Sequence, residues 1–494
     1  MSTLFSRRSL LTNAVAASAS GLTALTCSTA DAMNVAPVPR KWDRTFDVVV
    51  IGSGGAGFTA AVAAAEAGAK VCIVEKNPFV GGNTIVSGGA YNAVVPEDFK
   101  KAGIEDSEEL FYQNTMQAGG YRGNRELVKI LTQNADEALA WLKQHGVEFV
   151  DYIYQVYGGL HPRTRNPKLQ GGQSYIKALS AYVEKLGITV LTSTTVENIV
   201  REQPLEGRVL GVEVQGKENK EFIRATKAVI AAAGGFAANS KMCGLHDPRL
   251  EHLGTSNLPS ATGEVLKYMV NIGAETVGMD YIQCVINRPK DMTKYYPMSI
   301  FVENFIFVNW DGKRFIAEDS PRDVLCNAFL AQPKEQAFSI MDAKGYDIHC
   351  RIGRQTDLLQ SGVDAGEIVK ADSIEELARK MKVPVVELQK SVKEYNEAVA
   401  TKKDPVGREK SMLVQKIETA PFYATRFAMA RHHTMGGVLI NTKAQVVDRD
   451  GVVIDGLYAA GEVTGGIHGN NRVGGNGIAE IFTFGLIAGK NAAA

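Results

Sequence analysis

Six cysteines are present, but no two of them are spaced C-x-x-C, so the sequence carries neither a haem-attachment motif nor a zinc or iron–sulfur pattern. An excess of one charge is also missing. Lys plus Arg number 54 and Asp plus Glu number 54, which leaves no basic field to hold nucleic acid or a charged membrane surface. The early apolar stretch, ending near Leu25, is interrupted by Thr12, Asn13 and several serines and is too short and polar to span a bilayer stably. Glycine, by contrast, is plentiful. The 49 glycines gather in short motifs rather than repeats, as expected of a backbone that approaches a large ligand at several places. At 494 residues the chain has room for two or three domains and a large core.

The motif that organises the rest begins at Phe46. Apolar residues lead into Gly52, Gly54 and Gly57, spaced G-x-G-x-x-G with Gly55 and Ala56 between, and an Ala-rich run follows to Gly68. Gly52 permits the tight turn from strand to helix, Gly54 lets backbone approach a pyrophosphate, and Gly57 lets the helix pack close to the sheet. The helix N-terminus offers unpaired N–H groups to the phosphates. Val71–Val74 reads as a second buried strand, and Glu75 ends it where a carboxylate takes the hydroxyls of an adenosine ribose. Glycines alone would be weak evidence; with a strand before, a helix after and the acid in place, they specify a dinucleotide site.

Residues 1–32 have the layout of a cleaved export signal, with Arg7-Arg8, an apolar run and Ala30-Asp31-Ala32, and we expect a twin-arginine signal that sends the protein to the periplasm or cell envelope. Residues 33–45 read as a linker. The first part of the dinucleotide domain is expected over 46–278. It holds a second glycine group, Gly81-Gly82-Asn83-Thr84 with Ser87-Gly88-Gly89, helical patterns over 97–145 and 172–186, and a hairpin over Val196–Val200 and Val209–Val214. The buried strand Lys227–Ala233 ends in Gly234-Gly235, and Thr262-Gly263-Glu264 opens a helix. From Met279 to His432 aromatics become frequent and no such glycine cluster recurs, which suggests an inserted second domain over 279–432. Two helices are expected there, Ile374–Lys382 and Val386–Thr401, with Asp372 and Pro384 near their starts. Residues 433–494 return to the first texture, so both ends of the chain build the dinucleotide domain. The fold class is α/β: a Rossmann-like domain with an inserted α+β capping domain.

In combination these motifs resemble the flavoprotein subunits of fumarate reductase and succinate dehydrogenase, nearest the soluble exported branch of flavocytochrome c fumarate reductases and urocanate reductase. The resemblance runs from about residue 44 to the C-terminus. It is carried by Gly52–Gly57 with Glu75, Gly81–Thr84, Ala233-Gly234-Gly235, Asp311–Phe315 with Pro321-Arg322-Asp323, His433–Gly437, Ala460-Gly461-Glu462 and Arg472–Gly475. It implies FAD, no metal, and hydride transfer between the flavin and an activated carbon–carbon bond under a mobile cap. Transferred by position, the cofactor set is Gly52, Gly54, Gly55, Ala56, Gly57, Glu75, Lys76, Asn83, Thr84, Ser87, Gly88, Gly89, Val196, Ala233, Gly234, Gly235, Glu264, His433, Gly461, Glu462, Gly475, Asn476 and Ile478. No haem motif lies upstream, so a separate redox protein, a cytochrome or another flavoprotein, is the expected electron donor.

The resemblance also assigns roles. Arg322 matches the arginine that protonates the carbon alpha to the carboxylate, and His432 and Arg472 match the pair that grips a substrate carboxylate. The family's proton-relay Glu and Arg fall here at Met298 and Phe301, leaving Glu303, Glu318 and Asp323 as nearby acids. The residues that hold a second carboxylate fall at Val285 and Pro297. Around them Tyr295, Tyr296 and Met298 suggest an aromatic and apolar wall, hence an enoate with one carboxylate and an apolar far end, of acrylate or cinnamate type. Two alternatives remain open: a dehydrogenase of the 3-ketosteroid Δ1 type using Tyr295 or Tyr296, and a flavin electron-transfer module with no small-molecule substrate.

Overall fold

The structure, a computed structural model, describes residues 36–494 apart from residues 157, 170, 352 and 354; the export signal expected over residues 1–32, with Cys27, lies outside them. The strand Arg44–Ile51 sits in the middle of an eight-stranded sheet. It pairs in parallel with Val71–Val74 on one side and with Lys220–Ala231 on the other. Thr189–Leu191 and Val453–Ala459 extend the parallel core outward. The strands at its centre are apolar without alternation because both faces are covered. The last strand, Val453–Ala459, thus lies in the same sheet as the first.

Helix Gly55–Glu66 follows the first strand, and its alanines have a packing purpose. The terminal helix Asn476–Ala493 lies against it so tightly that a Cβ at Gly489 would sit 2.3 Å from the Ala60 carbonyl oxygen, and one at Gly485 2.9 Å from that of Ala56. Small residues on both helices permit that approach. The helical pattern over 97–145 resolves into Pro96–Ala102, Glu108–Ala118 and Arg125–Gln144; the last is capped by the Asn124 side chain, which accepts from Glu126 N and Leu127 N.

A second sheet is built around Phe422–Thr434, a 13-residue strand. It pairs antiparallel with Ile282–Asn287, Gln336–Met341 and Ile368–Ala371, and in parallel with the two-residue strand Gly254–Thr255. One side, carrying Phe427, packs on Phe305, Phe307 and Phe329, the other on the helices Ile374–Met381 and Val385–Thr401. Ser373, not Asp372, caps the first of these helices, its hydroxyl accepting from Glu376 N. The five cysteines among the described residues are free and buried, and no described helix is long and apolar enough to cross a membrane.

The Arg314 motif anchors this second region. Arg314 donates to Glu318 (Nε to Oε1, 2.9 Å; Nη2 to Oε2, 2.6 Å) and to both Asp404 oxygens, while Arg408 donates to Glu318 Oε2 from Nε at 3.1 Å. Burial alone would raise the Glu318 carboxyl, but Arg408 and Arg314 outweigh it and hold it below the usual carboxylate range. Both Glu318 oxygens are engaged by arginines and by Phe307 N, and none of these bonds goes to Arg322. Removing one member of a buried charge network strands the others, so Glu318→Gln is expected to lower stability in urea unfolding by about 3 kcal/mol. The carboxylate's contribution is present above its unfolded pKa and is lost as pH falls through its lower folded pKa. The difference between wild type and variant should therefore vanish in acid.

Candidate active site

The glycine-rich turns converge on one cavity. Of the cofactor residues expected from sequence, Gly52, Gly54, Gly55, Ala56, Glu75, Lys76, Asn83, Thr84, Val196, Ala233, Gly234, Glu264, Gly461 and Glu462 line it. The three motif glycines differ in what they do. A Cβ at Gly57 would lie 2.0 Å from the Gly52 carbonyl oxygen, and one at Gly52, where φ is +100°, 2.5 Å from that of Ala232; both hold helix and strand together. At Gly54 the same atom would meet nothing nearer than Thr84 Oγ1 at 3.8 Å. That open side faces the cavity, where a pyrophosphate fits.

Glu75 is held in place by residues the sequence did not single out. Ser53 N and Oγ donate to its Oε2 at 3.0 and 2.6 Å, and Asn77 N and Nδ2 donate to Oε1, both at 2.8 Å. Lys76 donates to Glu264 Oε2 at 3.0 Å and to Thr262 at 2.9 Å. Ser87, Gly88, Gly89, Gly235, Gly475, Asn476 and Ile478 do not line this cavity. Gly89 instead packs on the Gly171 backbone and Gly475 on Asn92. Asn476 accepts from Asn92 and donates to Thr115. Gly235 lies against Glu462 and Thr434, where a Cβ would be 2.5 Å from the acid.

Glu462 connects this cavity to the end of the long strand Phe422–Thr434. It accepts from Thr434 N at 2.9 Å and stands 3.5 Å from His433 Nδ1. Burial raises the Glu462 carboxyl and, with Arg472 next in effect, takes the His433 imidazole well below its ordinary range; both shifts oppose a full ion pair. Nearby, burial pushes Glu480 up to about 8, and its Oε1 accepts from Gly461 N at 3.1 Å.

Next to His433 stands a pair of cations. Arg322 opens helix Arg322–Leu330 directly after Pro321, a poor place for a cation because the helix dipole is positive there. Its Nη1 donates to Gln283 Oε1 at 3.0 Å, and Arg472 Nη2 donates to the same oxygen at 3.1 Å. Gln283 Nε2 in turn donates to Asn471 Oδ1 at 2.7 Å and to the Arg472 carbonyl at 2.9 Å. Burial first, then Arg322, lowers the Arg472 guanidinium to about 9, which still leaves it charged at neutral pH. Over Arg322 runs the loop at Gly158. A Cβ there would be 2.8 Å from Arg322 Nε, and the Gly158 carbonyl accepts from Gly474 N at 2.9 Å.

His432 completes the group. Burial, then Arg472 and Arg322, takes its pKa well below the ordinary value, so it is neutral. Its Nδ1 is 2.7 Å from Ser256 Oγ, and its carbonyl accepts from Asn257 Nδ2 at 2.7 Å. Asn257 is also bonded to Asn83 on the cofactor side, so a hydrogen-bonded chain runs from the cavity lining to the His432 backbone. The structure thus brings Arg322, Arg472 and His432 together. Tyr296 and Met298 do not join them, a correction to the expected wall. Met298 is 0% and Tyr296 1% exposed, in the apolar core behind the sheet, with the Tyr296 hydroxyl donating to Glu367 at 2.7 Å. Neither has surface to offer a ligand. Tyr295 is only partly buried, its hydroxyl 3.4 Å from Ser299 Oγ.

Comparison with known proteins agrees with this geometry. Residues 47–478 match the family model described as an FAD binding domain. The chain is 37% identical to "Probable fumarate reductase Ifc3" of Shewanella frigidimarina, over 91% of this chain and 75% of that protein. It is 34% identical to "NADH:acrylate oxidoreductase" of Vibrio harveyi, over 98% of this chain and 53% of that protein, so it spans about half of that relative's length. Among solved structures, the open conformation of a flavocytochrome c3 fumarate reductase superposes with a TM-score of 0.76 at 35% identity, covering 92% of this chain and 78% of that one. A dinucleotide cradle, an acid at the ribose position and the family match agree: this chain belongs to the FAD-binding flavoprotein family that includes the fumarate reductases.

Proposed function

We propose that the protein is an FAD-dependent reductase of an α,β-unsaturated carboxylate. The observation that carries this reading is the convergence of two buried guanidiniums, Arg322 and Arg472, on the single oxygen of Gln283, beside a neutral His432. Two cations held so close cost energy unless an anion sits with them, and a carboxylate is the anion that guanidinium geometry suits. FAD, which Gly52, Gly54, Glu75 and their neighbours would hold, would supply the hydride chemistry for reduction of the double bond. Arg472 and His432 hold the carboxylate and draw electron density from the double bond, and Arg322 delivers a proton to the α carbon. Hydride plus proton balance the saturation of one double bond.

The far end of the substrate is apolar in this reading. Val285 lies two residues from Gln283 on the same face of Ile282–Asn287 and is only partly buried, and Tyr295 keeps exposed surface. Neither residue offers a positive charge to a second carboxylate. A single-carboxylate enoate, of acrylate or cinnamate type, is the substrate class, and a separate redox protein supplies the electrons. The flavoprotein, reduced anaerobically and mixed with a panel of enoates, should be reoxidised by acrylate or cinnamate and poorly by fumarate. Faster reoxidation by fumarate would overturn the substrate class, and indifference to every enoate would overturn the activity.

A further inference from the structure

The short strand Gly254–Thr255 pairs in parallel with Ala430–Arg431 and so places Ser256 alongside His432. On the other side of the long strand, Gln283 faces His433 and Cys284 faces Arg431, which leaves His432 as the residue out of register. A bulge of this kind re-aims the side chain it carries. The imidazole that results has Nδ1 2.7 Å from Ser256 Oγ, while its Nε2 makes no bond to the protein among the described residues.

A neutral imidazole has one nitrogen that donates and one that accepts. For a histidine that meets an anion, the choice matters. An N–H directed at a carboxylate attracts it, whereas a lone pair repels it. Here the choice falls to one serine proton. Ser256 Oγ has two acceptors within reach: His432 Nδ1 at 2.7 Å and the Arg431 carbonyl at 3.5 Å. The carbonyl already accepts from Ser256 N at 3.0 Å and from Thr255 Oγ1 at 3.2 Å, which uses both of its lone pairs. The hydroxyl hydrogen therefore goes to Nδ1, and the ring proton must lie on Nε2.

We propose that Ser256 is a positioning residue that keeps the His432 proton on Nε2, so that the ring meets the substrate carboxylate as a donor. The role of that donor rests on the reading of the site as a carboxylate clamp; the tautomer itself does not. Asn257 supports the arrangement by holding the His432 carbonyl at 2.7 Å, which fixes the backbone from which the ring projects. Neither residue has a sequence signature, since both are small polar residues in a short irregular segment.

Nitrogen NMR of the 15N-histidine-labelled holoenzyme tests the assignment, with His432→Gln identifying the resonances. The wild-type ring should show a protonated Nε2 and an unprotonated Nδ1. Ser256→Ala should lose that preference and raise KM for the enoate about tenfold, the scale of one hydrogen bond to a charged group, with a smaller change in kcat. Ser256→Thr, which keeps the hydroxyl, should restore both. A wild-type spectrum with the proton on Nδ1 overturns the proposal even if the alanine variant does not fold, and so does an unchanged tautomer in Ser256→Ala. Should the tautomer follow the hydroxyl while no enoate reoxidises the flavin, the carboxylate reading fails and the positioning of His432 by Ser256 stands.

Discussion

Arg322→Ala is expected to lower kcat by roughly 10^3-fold or more, the scale on which loss of a general acid together with a charged donor acts, while the protein keeps its yellow cofactor. The second half of that expectation follows from position. Arg322 belongs to the helix Arg322–Leu330 and bonds Gln283, whereas the cradle is made by Gly52–Gly57, Glu75 and their neighbours. Arg322→Lys is the sharper control. Lysine restores the charge without the planar fork, so it should recover substrate binding more than turnover, leaving kcat down by roughly 10^2-fold. Stopped-flow reoxidation separates the two effects, because single turnovers report chemistry without product release. Should Arg322→Ala retain kcat within about tenfold of wild type, Arg322 would not be the proton donor.

The parts of this molecule that are legible in the sequence are those where backbone geometry dictates the residue. At Gly52 and Gly57 a side chain would collide with a carbonyl at 2.5 and 2.0 Å, so the glycines have to be written out. Glu75 follows a strand whose four residues are all buried, and such a run is visible as an apolar block. The two arginines and His432 can be placed through family likeness, since Arg322, His432 and Arg472 come from three distant segments and no spacing links them. Facing is harder to read. Residues 288–301 have no regular period, so nothing local shows that Tyr296 and Met298 turn into the core while Tyr295 stays partly open. Gln283 and Ser256 escape notice for a different reason. Each sits in a strand or its continuation where a lone polar residue is unremarkable, and each matters only through partners at least 39 positions away. Glu318 is a related case. An acid four residues before Arg322 invites a relay, but Arg314 and Arg408 reach it first.

Gln283 gives the second large effect, and its two substitutions should move in opposite directions. Its amide oxygen orients both guanidiniums, at 3.0 and 3.1 Å, yet carries only a partial charge and leaves both positive charges available to a substrate. Gln283→Glu places a full negative charge at that point. The built-in carboxylate then competes with the incoming one, and enoate binding should weaken about 10^3-fold, within the range for disrupting a buried charge pair. Gln283→Leu removes the acceptor that the two guanidiniums share and leaves two like charges adjacent. That variant should lose stability by about 2 kcal/mol but bind a carboxylate at least as tightly as wild type, because the anion is now the counter-charge both arginines share. Equilibrium titration of the oxidised flavoprotein with the saturated product gives both affinities from the flavin spectrum, and urea unfolding gives the stabilities. If Gln283→Glu binds the product as wild type does, the paired arginines are a structural contact and the carboxylate must be held elsewhere.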